Sequence, residues 1–247
     1  MLFFKKPKPF LRDFTENQFI DIHSHILPGI DDGAKNIEDT IRLIKTLSDY
    51  GFSKFMATPH TFSGYYDNTY ESITNSYDTT IKELNERGLH FSVDFASEYL
   101  MDDHFVSLFK KKEIHTLKDQ YVLVEMSYLN APINLYDILF DLQVAGYTPI
   151  LAHPERYLFY HQQFDSYKKL KNAGCKFQLN LLSTVGYYGK EVKNIADQLL
   201  KEGLIDFAGS DVHHEKHLKA FLSKVEIKNT DVLKEVIQNN IFFKKNH

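Results

Sequence analysis

Cysteine is almost missing: Cys175 is the single one in 247 residues. An intrachain disulfide and a cysteine-rich zinc site are both excluded, and a reducing compartment, the cytoplasm, fits best. No apolar run approaches the roughly 18 residues of a membrane span, so no transmembrane segment is expected. The opening stretch MLFFKKPKPFLRDFTENQ lacks the apolar core of a signal peptide. Residues 1–18 read instead as an N-terminal extension. It is either a surface arm or a weak membrane-surface contact through Phe3, Phe4, Lys5, Lys6 and Lys8. An excess of positive charge is also missing. Lys and Arg number 29 against 33 Asp and Glu, a net charge of −4, which argues against a nucleic-acid partner. Repeats, low-complexity tracts and linkers are absent from residues 19–247, which read as a single domain.

Histidine, by contrast, is plentiful, with 12 residues, and its placement follows the chain's architecture. Short apolar runs alternate with amphipathic stretches. Strands are expected at Phe19–His23, Phe55–Thr58, His90–Ala96, Tyr121–Met126, Thr148–Ala152, Cys175–Leu181 and Ile205–Gly209. Helices fall between them, the first carried by Ile37, Ile41, Ile44 and Leu47. Gly51, Gly88, Gly146, Gly174 and Gly203 stand where helices end. Further helical stretches are expected at His217–Val225 and Asp231–Asn239. Strands alternating with helices imply an α/β protein with a parallel sheet, either a closed barrel or an open doubly wound sheet.

Chemistry-bearing residues sit at the strand ends. Strand one ends in His23-Ser24-His25, with Asp31-Asp32-Gly33 beyond; strand two ends at Thr58-Pro59-His60. Glu98, Glu125, His153, Asn180 and Asp211-Val212-His213 end the others. In a closed barrel these ends converge on one mouth. Each residue alone reads most simply as structural. Together they leave buried carboxylates that bound cations would satisfy at once. The mix of imidazole and carboxylate suits Mn, with Fe or Zn as alternatives, better than Ca. His23 and His25 alternate on a strand and so face one side. The number of candidate ligands exceeds one tetrahedral site and points to two or three metals. Four carboxylates and three divalent ions would leave the mouth at about +2, which favours an anionic substrate such as a phosphate ester. Arg156, three residues after His153, is placed to bind phosphate, or else to pair with Glu155 or another rim acid.

The phrases IDIHSHILPGIDDG, ATPH, ASEYL, YVLVEMS, ILAHPERY and GSDVHH, spread over residues 20–214, resemble the polymerase-and-histidinol-phosphatase (PHP) superfamily. The match is to its bacterial tyrosine-phosphatase branch, associated with capsule and exopolysaccharide control. The resemblance implies a distorted (β/α)7 barrel with a trinuclear centre at the C-terminal ends of parallel strands. It implies one metal held by His23, His25, Glu98 and Asp211. Glu98 would bridge to a second metal held by Glu125 and His153, and Asp32, His60 and His213 would hold the third. Asp31 is the less favoured member of the Asp31–Asp32 pair. Arg156 matches a phosphate-binding arginine, and Arg156, Asp211 and His213 are the expected catalytic residues. The implied partner is a phosphotyrosine protein, the tail of a membrane tyrosine kinase, met at the inner face of the membrane. An oligomer is allowed. One departure stands out: where many relatives carry a second arginine after the SDxH motif, this chain has His214, Lys216 and His217.

The expected activity is metal-dependent hydrolysis of phosphotyrosine. Tyrosinate is a good leaving group, so a strong general acid is unnecessary; His214 or His217 could assist, or be solvated loop residues. The Phe62–Tyr70 loop could hold an aromatic ring beside the mouth. A cysteine-dependent tyrosine phosphatase is excluded, because the position six residues after Cys175 is Leu181 rather than arginine. The rivals are a small-molecule phosphatase such as a histidinol-phosphate phosphatase, a nuclease-like phosphodiesterase, and a non-catalytic, metal-stabilised phosphotyrosine-binding scaffold.

Overall fold

The computed structural model describes residues 7–244. Nine strand segments form its centre: β1 (Phe19–Ser24), β2 (Phe52–Ala57), β3 (His60–Thr61), β4 (Val93–Phe95), β5 (Glu98–Leu100), β6 (Tyr121–Glu125), β7 (Thr148–Ala152), β8 (Lys176–Asn180) and β9 (Phe207–Gly209). All pair in parallel, in the orders β1-β2-β4 and β3-β5-β6-β7-β8-β9. Two breaks hide a simpler plan. β2 and β3 are one stave interrupted at Pro59, which has no N–H to give to a ladder. β4 and β5 are another. Ala96 N–H donates to Ala57 O (2.8 Å) and Glu98 N–H to Pro59 O (3.0 Å), so the pairing runs on across the breaks. The circle closes between β9 and β1, where Asp211 N–H donates to His23 O (2.8 Å) and His25 N–H to Val212 O (2.9 Å). Seven staves result, in the distorted parallel barrel expected.

Helices wrap the outside: α1 (Ile37–Asp49), α2 (Tyr70–Glu86), α3 (Asp103–Lys111), α4 (Leu135–Val144), α5 (Asp165–Asn172), α6 (Lys190–Lys201), α7 (Glu215–Ala220) and α8 (Thr230–Asn239). The helical spacing of Ile41, Ile44 and Leu47 buries one face of α1 against the barrel. Asn36 caps it by accepting from Asp39 N–H at 3.0 Å, which stabilises it by about 1 kcal/mol. The strands are buried on both faces, as a parallel sheet between core and helices requires. None of the described helices is long and apolar enough to cross a membrane.

Three boundaries differ from expectation by three residues or more. The second strand starts earlier, at Phe52. The third starts later, at Val93, and resumes at Glu98, which puts that carboxylate inside the sheet. The stretch His217–Val225 is helical only to Ala220. Beyond it the backbone turns to the N-terminal segment: Arg12 N–H donates to Phe221 O (3.1 Å), Leu11 N–H to Ser223 O (3.0 Å) and Val225 N–H to Pro9 O (2.9 Å). Leu11 is fully buried in this clasp, and the Thr15 hydroxyl donates to Tyr50 O (2.7 Å). Within the extension, Phe3, Phe4, Lys5 and Lys6 lie outside the described residues, and Lys8 Nζ donates to Glu226 O at 3.4 Å.

Candidate metal centre and active site

The strand ends deliver their side chains to one mouth by unusual backbone. His153 after β7 and Asp211 after β9 are non-glycine residues in the left-handed region, at φ 37° and 51°. Such conformations cost about 1–3 kcal/mol each and persist where the surroundings impose them. Two glycines allow the crowding. A Cβ on Gly33 would lie 2.1 Å from His25 O, and one on Gly209 would lie 2.7 Å from His23 Cβ.

All nine residues expected to hold metals are gathered there. Four sets bring ligand atoms within reach of a shared ion: His25, Asp32, His60 and His213; His23, Glu98 and His153; His23, His25 and Asp211; and His60, Glu98 and Glu125. His60 therefore falls in two sets. Glu125 lies with His60 (2.8 Å) rather than with His153, whose Nε2 is 3.0 Å from Glu98 Oε1. Asp31 turns the other way: it takes His25 Nδ1 at 2.7 Å and the Gly33 N–H at 2.9 Å, which leaves Asp32 facing the mouth.

The donor set fits cations. Glu98 Oε2 is fully buried, has His60 Nδ1, His23 Nε2 and His25 Nε2 at 3.1, 3.2 and 3.5 Å, and makes no hydrogen bond with any of them. His23 Nε2 and His25 Nε2 also face each other at 3.2 Å. Ring nitrogens pointed at one another and at an unaligned carboxylate oxygen form a cage of lone pairs, which a positive charge at its centre would satisfy. The same carboxylates favour protonation of the imidazoles. Burial disfavours charge on His25, but Asp31, Asp211 and Glu98 outweigh it and hold its pKa well above the usual histidine range. His60 is raised in the same way, against burial, chiefly by Glu125. Burial works against ionisation of Asp211 too, yet His23 and His213 keep it well below the usual carboxylate range.

A shell of residues outside the expected ligand set fixes this cage. Gln178 on β8 takes His23 Nδ1 at 2.7 Å and so turns Nε2 into the cage. Asp21 accepts from Ser210 N–H (2.9 Å) and its hydroxyl (2.5 Å), which ties β1 to the loop carrying Asp211. Asp211 divides its oxygens: Oδ1 faces His23, His25 and His213, whereas Oδ2 accepts from Arg156 Nη1 (2.7 Å) and Asn180 Nδ2 (2.8 Å). Arg156 thus pairs with Asp211, not Glu155. Its guanidinium lies against the rings of Tyr188 (4.2 Å) and Tyr128 (4.9 Å), and the side chain as a whole is a fifth exposed. Burial opposes its charge, but Tyr128 and Asp211 more than compensate and its pKa is raised. His217 is no solvated loop residue. It is buried on α7, accepts from His213 N–H (3.1 Å), and burial with His213 and His214 nearby lowers its pKa to about 3. It is neutral at neutral pH and cannot serve as an acid. His214 is exposed. Cys175 is buried, its thiol pushed up to about 12 by burial, which makes it an inert core residue.

A parallel barrel that gathers imidazoles and carboxylates in this way at its C-terminal mouth has the architecture and donor set of a barrel metallohydrolase. The particular family follows from the sequence: the chain belongs to the CpsB/CapC family of capsular polysaccharide synthesis, whose model matches residues 19–246. It is 31% identical over 198 residues to the tyrosine-protein phosphatase YwqE of Bacillus subtilis (strain 168), covering 80% of this chain and 78% of that one. It is 29% identical over 211 residues to the tyrosine-protein phosphatase CpsB of Streptococcus agalactiae, covering 83% and 87%. A solved structure among those of YwqE from Bacillus subtilis and CpsB from Streptococcus pneumoniae, described as unique metal-dependent tyrosine phosphatases, superposes with a TM-score of 0.77. It is 29% identical, with 87% of this chain and 86% of that one covered.

Proposed function

We propose that this protein is a metal-dependent phosphoric monoester hydrolase acting on phosphotyrosine in proteins. The observation that carries the reading is Glu98 Oε2, ringed by three imidazole nitrogens without a hydrogen bond, beside an arginine presented to the mouth. His23, His25, Asp32, His60, Glu98, Glu125, His153, Asp211 and His213 would hold two or three divalent ions, Mn²⁺ first, with Fe or Zn as alternatives. When bound, the ions supply Lewis acidity to the phosphoryl group and lower the pKa of an attacking water toward neutrality. The chain's own residues do the rest. Arg156 takes phosphoryl oxygens with its planar fork and offsets charge as it develops. Asp211, through Oδ2, and the two flanking tyrosines hold that fork in place. No side chain need protonate the leaving group, because the tyrosine phenol has a pKa of about 10, and a neutral His217 agrees with that.

The catalytic domain is residues 19–247, with residues 1–18 as its extension. The substrate is the phosphorylated tail of a tyrosine kinase of polysaccharide synthesis, met in the cytoplasm at the inner face of the membrane. Self-association draws support from α4, whose outward Tyr136, Phe140 and Val144 are exposed although its inner face is buried as usual.

The test is a side-by-side measurement of kcat/KM on a phosphotyrosyl protein, histidinol phosphate and a dinucleotide. The phosphotyrosyl protein should be preferred by at least about tenfold over histidinol phosphate, with the phosphodiester not cleaved. A preference for histidinol phosphate would make the protein a small-molecule phosphatase, and binding without turnover would make it a scaffold.

A further inference from the structure

We propose that Tyr66 and Tyr128 are the two walls of a slot for an aromatic ring above the phosphate site, and that this slot sets a preference for aryl over alkyl phosphomonoesters. The inference rests on the phosphatase reading and adds to it what recognises the leaving group. Arg156 and the metal-ligand cage meet only the phosphoryl end, which every monoester shares. Selection among monoesters must come from whatever stands above that floor.

Two tyrosines stand there. Tyr66 lies against the ring of His60 at 5.4 Å between centroids, with the planes only 14° apart. Tyr128 lies against His153 at 5.8 Å and 24°. His60 and His153 are neighbours across one carboxylate, since His60 Nδ1 is 3.1 Å from Glu98 Oε2 and His153 Nε2 is 3.0 Å from Glu98 Oε1. Each tyrosine therefore stacks, offset, on an imidazole that meets one oxygen of the Glu98 carboxylate. Arg156 lies against Tyr128, its guanidinium carbon 4.9 Å from the ring centroid. Tyr66 is partly buried and Tyr128 is 45% exposed, so both have ring surface left to offer. Aromatic rings prefer such offset or edge contacts at centroid separations of about 4.5–7 Å.

The wall bearing Tyr66 is built rather than loose. Phe62 and Tyr66 exchange backbone hydrogen bonds at 3.0 and 2.8 Å, closing a hairpin around Gly64, which is at φ 78°. Asp67 accepts from Gly64 N–H at 2.7 Å, and Asn68 Nδ2 donates to both His60 O (2.7 Å) and Ile30 O (3.0 Å). The hairpin thus fixes Tyr66 over His60, while Tyr65 points away and is 77% exposed. Tyr128 is held from the other side by Tyr157, 5.8 Å away between centroids, whose hydroxyl accepts from Met126 N–H at 3.0 Å.

The test uses two non-hydrolysable ligands that differ only in the ring, phenylphosphonate and methylphosphonate. Their binding to metal-loaded wild type, Tyr66→Leu and Tyr128→Leu is measured by calorimetry. Wild type should bind phenylphosphonate the more tightly. Each leucine variant should cut the phenyl-to-methyl affinity ratio by about fivefold, the size of one aromatic pair. Tyr66→Phe and Tyr128→Phe should retain the ratio. Kinetics should agree: KM for a phosphotyrosyl peptide rises in Tyr66→Leu while turnover of glycerol phosphate is little changed. An unchanged ratio in either variant, or parallel weakening of both phosphonates in Tyr66→Leu, would overturn the slot and make the tyrosines supports for the floor. Wild type that hydrolyses phosphotyrosine with an unaltered ratio in both variants would sink the slot alone. Loaded wild type that neither binds phosphonate nor hydrolyses phosphotyrosine would sink the phosphatase reading, and the slot with it.

Discussion

Replacing Arg156 by lysine separates charge from shape at the proposed phosphate site. Lysine keeps the cation but loses the planar fork and the stack between two rings. In the native site Nη1 is committed to Asp211 at 2.7 Å, and the guanidinium is held 4.2 Å from Tyr188 and 4.9 Å from Tyr128. The substitution forfeits one charge-assisted hydrogen bond to the phosphoryl group, about 1.5–3 kcal/mol, and part of a cation–π contact of about 0.5–1 kcal/mol. A loss of about 2–3 kcal/mol is a roughly 30- to 150-fold fall in kcat/KM. Metal content should not change, because Arg156 bonds Oδ2 of Asp211 and leaves Oδ1 facing the histidines. The assay is steady-state hydrolysis of a phosphotyrosyl peptide with metal content measured on the same samples. Arg156→Lys with wild-type kcat/KM would refute the role of the fork. A loss accounted for by missing metal would refute the division of labour between the two Asp211 oxygens.

Three further outcomes follow from the same geometry. Gln178→Leu removes the partner of His23 Nδ1 and should weaken metal binding by about 10- to 100-fold without unfolding the chain; competition with a chromophoric chelator reads this, and native affinity would reject the orienting role. His23, His25 and His60 have pKa values raised above the ordinary range in the ion-free chain, so their stabilising protonation is complete below the unfolded value and lost as pH rises through the folded one. Metal needs these nitrogens bare, so loading should release protons and tighten with pH; calorimetry in buffers of differing ionisation enthalpy measures the release, and none at neutral pH would contradict the raised values. Leu11→Ala, at a fully buried position of the N-terminal clasp, should cost about 2–5 kcal/mol in urea unfolding, whereas an unchanged midpoint would mean that the clasp contributes nothing.

The barrel and its candidate ligands were legible because polar residues of one kind recur where apolar runs stop, a pattern that a parallel fold converts into a single mouth. Glu125 within YVLVEM is the clearest case, a carboxylate inside an otherwise apolar strand. The interruptions were less legible. Pro59 marks one break, but nothing in FASEYL announces that the third stave stops at Phe95 and resumes at Glu98. The supporting residues carried no signal of their own. Gln178, Tyr128 and Tyr188 are ordinary residue types at unremarked positions, and their roles come from what the folded chain sets beside them. Asp21 offered a faint one, an acid within the buried run of β1. The early end of α7 was hidden for a different reason. The periodicity of residues 217–225 is real, but its backbone groups are taken by Pro9, Leu11 and Arg12, and a contact so distant in sequence leaves no local trace.

The most direct test of the central claim is phosphate release from a phosphotyrosyl peptide by chelator-stripped protein, before and after addition of Mn²⁺, with bound metal counted. The account predicts no release from the stripped protein, and activity that returns as two or three ions per chain bind. Undiminished release from verifiably metal-free protein would contradict it, as would a loaded protein that leaves phosphotyrosine intact.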